Sequence, residues 1–456
     1  MVVAFPVSGN FVDYADRWID QSVAFGAGFS EWLSYTAVIS SEAAFLNILI
    51  QYWANQRFPE AASLTIMLVL LSIIFVCPVK VFAQFEYFTS MVKVVLFVFL
   101  IVICVAMIGG AGKTGHVHHG STWTDLPPFK NGFSGFVKCA TLAVWGIGDQ
   151  IPVTTMGGEA QNVRYSLAHA SKLVPVRISV VFLLSISMIS ILVPSDDDRL
   201  MGGSGATASP YVIAMNDAGI PVIPHIVNAA ILIGVIGNAA EAMYTASRIL
   251  RAMAHQALIP EIFARVDSQG RPRIALLITG TIGILLTYIN LSAGGVETLT
   301  WLLSLSTTGV LMNWVIIAWT SFRFHRALEL QKDPLLTEPY AWRSFLWPLA
   351  PVWLMLTSLF LLAGCVTIGL QPPGRLTTSL VENFFQYIIG ALVIMVFTTG
   401  YKLIFRTSYR QLRKADHGTG RHTITPDEMN ELDRYYSPAS SCPADIATLM
   451  DLGDYD

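Results

Sequence analysis

Ten stretches of this chain are long and apolar enough to cross a lipid bilayer as helices. They fall at about 23–50, 62–79, 87–109, 135–156, 174–194, 223–247, 274–292, 298–320, 346–370 and 383–405. A bilayer's hydrocarbon core takes roughly 20 residues of helix. In that medium a helix meets its own backbone hydrogen bonds, which an isolated strand or loop does not. Charged residues are only 13% of the 456 and apolar residues are 54%, whereas a soluble domain carries about a quarter charged. The sequence therefore predicts an all-α membrane protein of about ten spans, with the lipid bilayer as its solvent.

The same numbers exclude other classes. A net charge of −3, with no basic stripe outside the loops, gives nucleic acid nothing to bind. Four of the five cysteines, Cys77, Cys104, Cys139 and Cys365, sit in apolar runs and Cys442 lies in a polar segment. That pattern is neither a disulfide framework nor a metal set, and no cofactor is expected.

Basic residues give an orientation. If the loops alternate sides, one side collects 21 of the 28 Lys and Arg and the other collects 5, with Lys93 and Lys138 inside or at the mouths of spans. The basic side is the cytoplasmic one, so both termini are expected in the cytoplasm. From Thr407 onward the chain is polar and Pro-containing, and 407–456 reads as a largely disordered cytoplasmic tail with a short helix near Pro426–Tyr435.

Ionisable groups at membrane depth are costly and mark function by default. Glu42 sits mid-span, and Glu241 lies inside the sixth stretch beside Asn238. Both are candidates for proton coupling or substrate contact, the alternative being a structural hydrogen bond. Glu31, Glu86 and Glu159 lie nearer span ends, where facing water or capping a helix suffices. Lys93 and Lys138 can snorkel to the interface on their long stems.

The fourth stretch is the most informative. In Ala143-Val-Trp-Gly-Ile-Gly-Asp-Gln-Ile-Pro-Val-Thr-Thr155, Gly146, Gly148 and Pro152 argue against a continuous helix. A broken span exposes backbone groups to a cavity, where they bind substrate in transporters. Trp145, Gly146, Gly148, Asp149, Gln150 and Asn238 are the substrate-binding candidates. A Pro kink packed with glycines is the plainer alternative. His116-Val-His-His119, in an outward loop, lacks the carboxylate or helical spacing of a metal site and reads as a solvated loop.

Several stretches resemble fungal amino acid permeases of the amino acid–polyamine–organocation superfamily. They are Phe5-Pro-Val-Ser-Gly-Asn-Phe-Val-Asp-Tyr-Ala15, Gly158-Glu-Ala-Gln-Asn-Val-Arg164, Ala208-Ser-Pro-Tyr-Val-Ile213, Tyr244-Thr-Ala-Ser-Arg-Ile-Leu250, Ser321-Phe-Arg-Phe-His-Arg-Ala327 and Tyr401-Lys-Leu-Ile-Phe-Arg-Thr407. The resemblance implies the leucine-transporter-like fold, with two inverted five-helix repeats and two further helices. By that count Met1 falls near the end of the second helix, so the first two are expected to be missing. Residues 1–22 would be the end of the second helix and its loop, 23–406 the transporter domain, 135–156 the sixth helix and 223–247 the eighth. Departures are visible: Gly148-Asp-Gln150 stands where a Gly-x-Glu is usual, Asn162-Val-Arg164 replaces Asn-Pro-Arg, and Gly237-Asn-Ala-Ala-Glu241 replaces a small-polar run.

The resemblance implies proton-coupled uptake of an amino acid by alternating access, at the plasma membrane, and no enzymatic activity. A non-transporting sensor or inactive paralogue is the rival expectation.

Overall fold

The computed structural model describes residues 1–7, 9–55, 57–127, 131–147, 163–202, 209–289, 291, 295–338, 341, 344, 346–371 and 379–436. Among these residues there is no strand, and the long helices correspond to the ten apolar stretches. In chain order the principal helices are α1 (Asn10–Trp18), α2 (Gln21–Ala54), α3 (Glu60–Val76), α4 (Val79–Ile108) and α5 (Gly132–Ile147). They continue with α6 (Val163–Leu192), α7 (Pro210–Asp217), α8 (Ile223–His255), α9 (Arg273–Ile289), α10 (Gly295–Gln331), α11 (Leu349–Leu370), α12 (Leu380–Phe405) and α13 (Pro426–Tyr436). Among the described residues seven of them are long and apolar enough to cross a membrane. The helices at α3, α5 and α9 are shorter apolar ones.

Helix α2 is the axis of the bundle, and α8, α10, α12 and α9 all pack on it. Its sequence explains the position. Gly26, Ala27, Gly28, Ser30, Ser34, Ala37, Ser40 and Ser41 are all buried, and small side chains let neighbouring backbones approach where lipid offers no hydrophobic drive between helices. A Cβ on Gly26 would sit 2.8 Å from the carbonyl oxygen of Ile394 on α12. By contrast α4 turns Val94, Val95, Val98, Val102 and Val105 outward. A soluble protein does not expose such a stripe; with the long apolar helices it marks the chain as an integral membrane protein.

Several helices outrun their apolar stretches. Helix α10 continues through the polar Ser321-Phe-Arg-Phe-His-Arg-Ala327 to Gln331, and α4 begins directly after Pro78 rather than near residue 87. Apolarity marks the part of a helix inside the bilayer, while backbone bonding carries the helix past it. At about 1.5 Å per residue, α2 spans about 50 Å and so exceeds the roughly 30 Å hydrocarbon core.

The two terminal segments meet at one end of the bundle. Trp18 is fully buried and packs on Phe5 and Phe324 with ring centroids 5.6 and 4.7 Å away. The Arg410 amide donates to the Ile19 carbonyl at 2.8 Å, and the His422 amide to the Ala4 carbonyl at 2.9 Å. Arg323 of α10 bonds the carbonyls of Trp18 and Arg410, and Arg421 pairs with Asp333 and Glu338. Asp20 caps α2 by accepting from the Ser22 amide, and it also holds Lys402 Nζ at 2.6 Å and the Thr407 hydroxyl at 2.6 Å. Burial alone would raise the Asp20 pKa, but these donors outweigh it and pull it down to about 2.

Candidate functional site

A cavity of about 160 Å³ lies inside the bundle against α2. Glu31, Ser34, Tyr35, Val38 and Glu42 line it from α2, Asn238 and Ala242 from α8, Ser306 and Val310 from α10, and Gly146 from α5. The α2 residues follow one another at helical spacing, so a single face of that helix presents all five. The pairs on α8 and α10 are each four apart, again one face.

Both carboxylates are inside. Glu31 is 1% exposed and Glu42 is 3% exposed. The Asn238 amide nitrogen donates to Glu42 Oε1 at 3.4 Å, and Asn238 Oδ1 accepts from Lys93 Nζ at 2.6 Å. Thus α4, α8 and α2 are joined by a line of polar contacts, with a neutral amide between a cation and an anion. Glu31 accepts a hydrogen bond from Asn313 Nδ2 of α10. Such groups are expensive to bury and are retained in membranes where they are paired or face a water-filled space.

Of the residues singled out from sequence, the structure brings Glu42, Asn238 and Gly146 to one cavity. Glu241, three residues after Asn238 on α8, is half-buried and is not among the lining residues. Gly148, Asp149 and Gln150 lie outside the described residues, as do Pro152, Glu159 and all but the last two residues of the 158–164 motif. The backbone of Trp145 belongs to α5, but its side chain also lies outside them.

Two expectations are corrected. Glu31 neither faces water nor caps a helix: α2 starts at Gln21 and lies in the middle of the bundle, so Glu31 is buried well inside it. Lys93 does not snorkel, because Asn238 lies within reach and α8 approaches α4 closely at Gly234 and Gly237. A Cβ on Gly237 would lie 2.8 Å from Thr89 Oγ1. Sequence reasoning also missed Tyr35, Ser34 and Ser306. The signal for Glu31 was present in the spacing, since Glu31 and Glu42 are about three helical turns apart and fall on the same side.

Comparison with known proteins follows the same line. The amino acid permease family model matches residues 1–414. The chain is 33% identical over 404 residues to the amino-acid permease GAP5 of Candida albicans, covering 88% of this chain and 64% of that protein. It is 32% identical over 435 residues to GAP3 of the same yeast, covering 94% and 71%. With the general amino-acid permease GAP1 of Saccharomyces cerevisiae it shares 30% over 445 residues, covering 94% and 72%. It thus spans about two thirds to three quarters of the length of these relatives.

Proposed function

Because the chain belongs to the amino acid permease family, we infer that it is a secondary transporter that takes up amino acids with protons by alternating access. The observation that supports this most is the cavity itself. It lies between four helices and holds a buried carboxylate, Glu42, tied through Asn238 to Lys93.

The chemistry fits a coupled cycle. A buried carboxylate is costly while charged and cheap when protonated. Proton arrival at Glu42 would free Asn238 and Lys93 from their present geometry, and proton loss would restore it. Substrate would enter between Asn238, Gly146 and the segment that holds Trp145, Gly148, Asp149 and Gln150. Glu241 is the second candidate for proton handling. The transporter proper would occupy 23–406, with 407–456 as its tail, both termini in the cytoplasm and the plasma membrane as its site.

Uptake of labelled amino acids into yeast lacking its own permeases is the test. Expected is accumulation above background that a protonophore abolishes and that Glu42→Gln lowers at least about ten-fold, equal to about 1.4 kcal/mol. Accumulation that ignores the protonophore would remove proton coupling. No accumulation, with normal surface expression, would remove transport.

A further inference from the structure

Residues 407–422 lie as a strap over one end of the bundle, and His417 is the one fully buried residue in them. It is 6% exposed. Its ring packs against Trp18 of α1 and Phe324 of α10, with centroids 6.3 and 6.4 Å away. Neither ring nitrogen finds a hydrogen-bond partner among the described residues. Asp333 Oδ2 is 3.4 Å from Nδ1 but is not placed to accept from it. That carboxylate is already engaged, by Arg421 at 3.1 Å to each oxygen and by the Leu335 amide at 2.9 Å.

A neutral imidazole suits this seat and an imidazolium does not. The neutral ring leaves one N–H without an acceptor, a modest cost. The protonated ring brings two N–H donors and a full charge, and it meets two aromatic rings and one shared carboxylate.

Other charged groups stand around the seat. On the strap, Asp416 is bonded by Thr419 and Gly418, which pull its carboxyl down to about 2. Arg421 is held by Asp333 and Glu338. On α1, Arg17 pairs with Asp13 and bonds the Thr419 carbonyl, while Asp16 holds Arg410. Two further histidines are near. His325, beside Phe324 on α10, stacks on Trp347 with centroids 3.5 Å apart. His422 lies 2.9 Å from Glu428, a contact that a proton strengthens.

Burial holds the His417 imidazole below its ordinary range, and Asp333 and Asp416 offset that only in part. On a detached strap the ring would titrate near its usual value of about 6.5. The docked strap therefore binds a proton less well than the detached one. Docking is strongest above that value and weakens as pH falls through it.

We propose that residues 407–422 are an acid-released strap with His417 as its switch. The imidazole seats while neutral, and the proton that charges it drives the strap off Trp18 and Phe324. Because Arg323 and Gln331 of α10 bond carbonyls of the strap, detachment also removes a tie on a helix that lines the cavity. The switch does not depend on the transport reading and stands or falls separately from it.

The test digests the purified full chain with trypsin at about pH 7.5 and about pH 5.5, following cuts at Arg410, Arg413 and Lys414. Each rate is divided by that of His417→Phe at the same pH, which removes trypsin's own pH dependence. His417→Phe keeps an uncharged ring in the seat, and His417→Gln is a second uncharged reference if the first folds poorly. The wild-type ratio is expected to rise about three-fold or more on acidification, because cleavage follows the open population. His417→Lys, which carries its charge at both pH values, is expected to be cut fast at both. A ratio that stays flat or falls on acidification would overturn the proposal. So would a His417→Lys strap as resistant as wild type at neutral pH.

Discussion

Lys93 Nζ lies 2.6 Å from Asn238 Oδ1, although 145 positions of chain separate the two residues. The other end of the same amide faces Glu42 at 3.4 Å. A neutral amide thus stands between two charges and donates to one while accepting from the other. That arrangement lets a cation and an anion share a membrane interior without touching.

Asn238→Leu deletes both contacts at nearly constant volume and leaves Lys93 and Glu42 each short of a partner. A loss of about 2 kcal/mol of stability is expected, read as a lower thermal midpoint in detergent. An unchanged midpoint would mean that these contacts hold nothing together.

Gly390 on α12 is where two helices touch backbone to backbone. A Cβ there would fall 2.3 Å from the Leu305 carbonyl oxygen and 2.4 Å from the Gly309 nitrogen, atoms that cannot yield without moving α10. Gly400 on the same helix has nothing within 4 Å of the equivalent position. Gly390→Val should therefore strip the folded peak from size-exclusion profiles of tagged protein, while Gly400→Ala should leave it intact. Equal behaviour of the two variants would contradict the packing.

Asp20 gives a pH prediction with a definite sign. Its carboxyl is pulled down to about 2 by Lys402, Thr407 and Ser22 against the upward push of burial, and its side chain is 1% exposed. A carboxyl depressed below its unfolded value of about 3.9 contributes stability above that pH. The contribution is lost as pH falls from about 4 toward 2. Thermal midpoints of wild type and Asp20→Asn should differ at pH 7 and converge in that acid window. A constant difference across the window would detach the effect from this ionisation.

Asp333 holds the stretch after α12 in place through Arg421 at 3.1 Å and lies 3.4 Å from the His417 ring. Asp333→Ala should loosen residues 407–422, because Arg421 keeps only Glu338 among its two carboxylate partners seen here. Limited trypsin digestion should then cut faster at Arg410, Arg413 and Lys414. Cleavage at the wild-type rate would show that the remaining contacts, among them Arg323 on the Arg410 carbonyl and the backbone bonds to Ile19 and Ala4, suffice without Asp333.

The membrane class and the rough position of the apolar helices were legible in the sequence, because water-excluding surface has to be apolar wherever it occurs. Helix ends were less legible. Ser321–Ala327 is polar yet helical, since a helix that leaves the bilayer keeps its own hydrogen bonds. The docking of residues 407–422 on α1 and α10 had no signal in composition. Much of it is backbone bonding, from the Arg410 and His422 amides to the carbonyls of Ile19 and Ala4 and from Arg323 and Gln331 to carbonyls of 410–415, groups that every sequence possesses.

For the site, residue type was enough to single out Glu42 and Asn238, as polar groups in an apolar stretch are few and costly. It was not enough for Lys93 or Glu31. A lysine in a span reads equally well as snorkelling or as paired, and a carboxylate near a predicted helix end reads as solvated. What separates these readings is which helix lies opposite: Gly237 lets α8 come close to α4, and Gly309 lets α10 come close to α2. The sequence by itself determined that polar groups would be buried in a helical bundle. Only the tertiary structure decided which of them face one another, because side-chain partners across helices depend on crossing geometry that no single helix encodes.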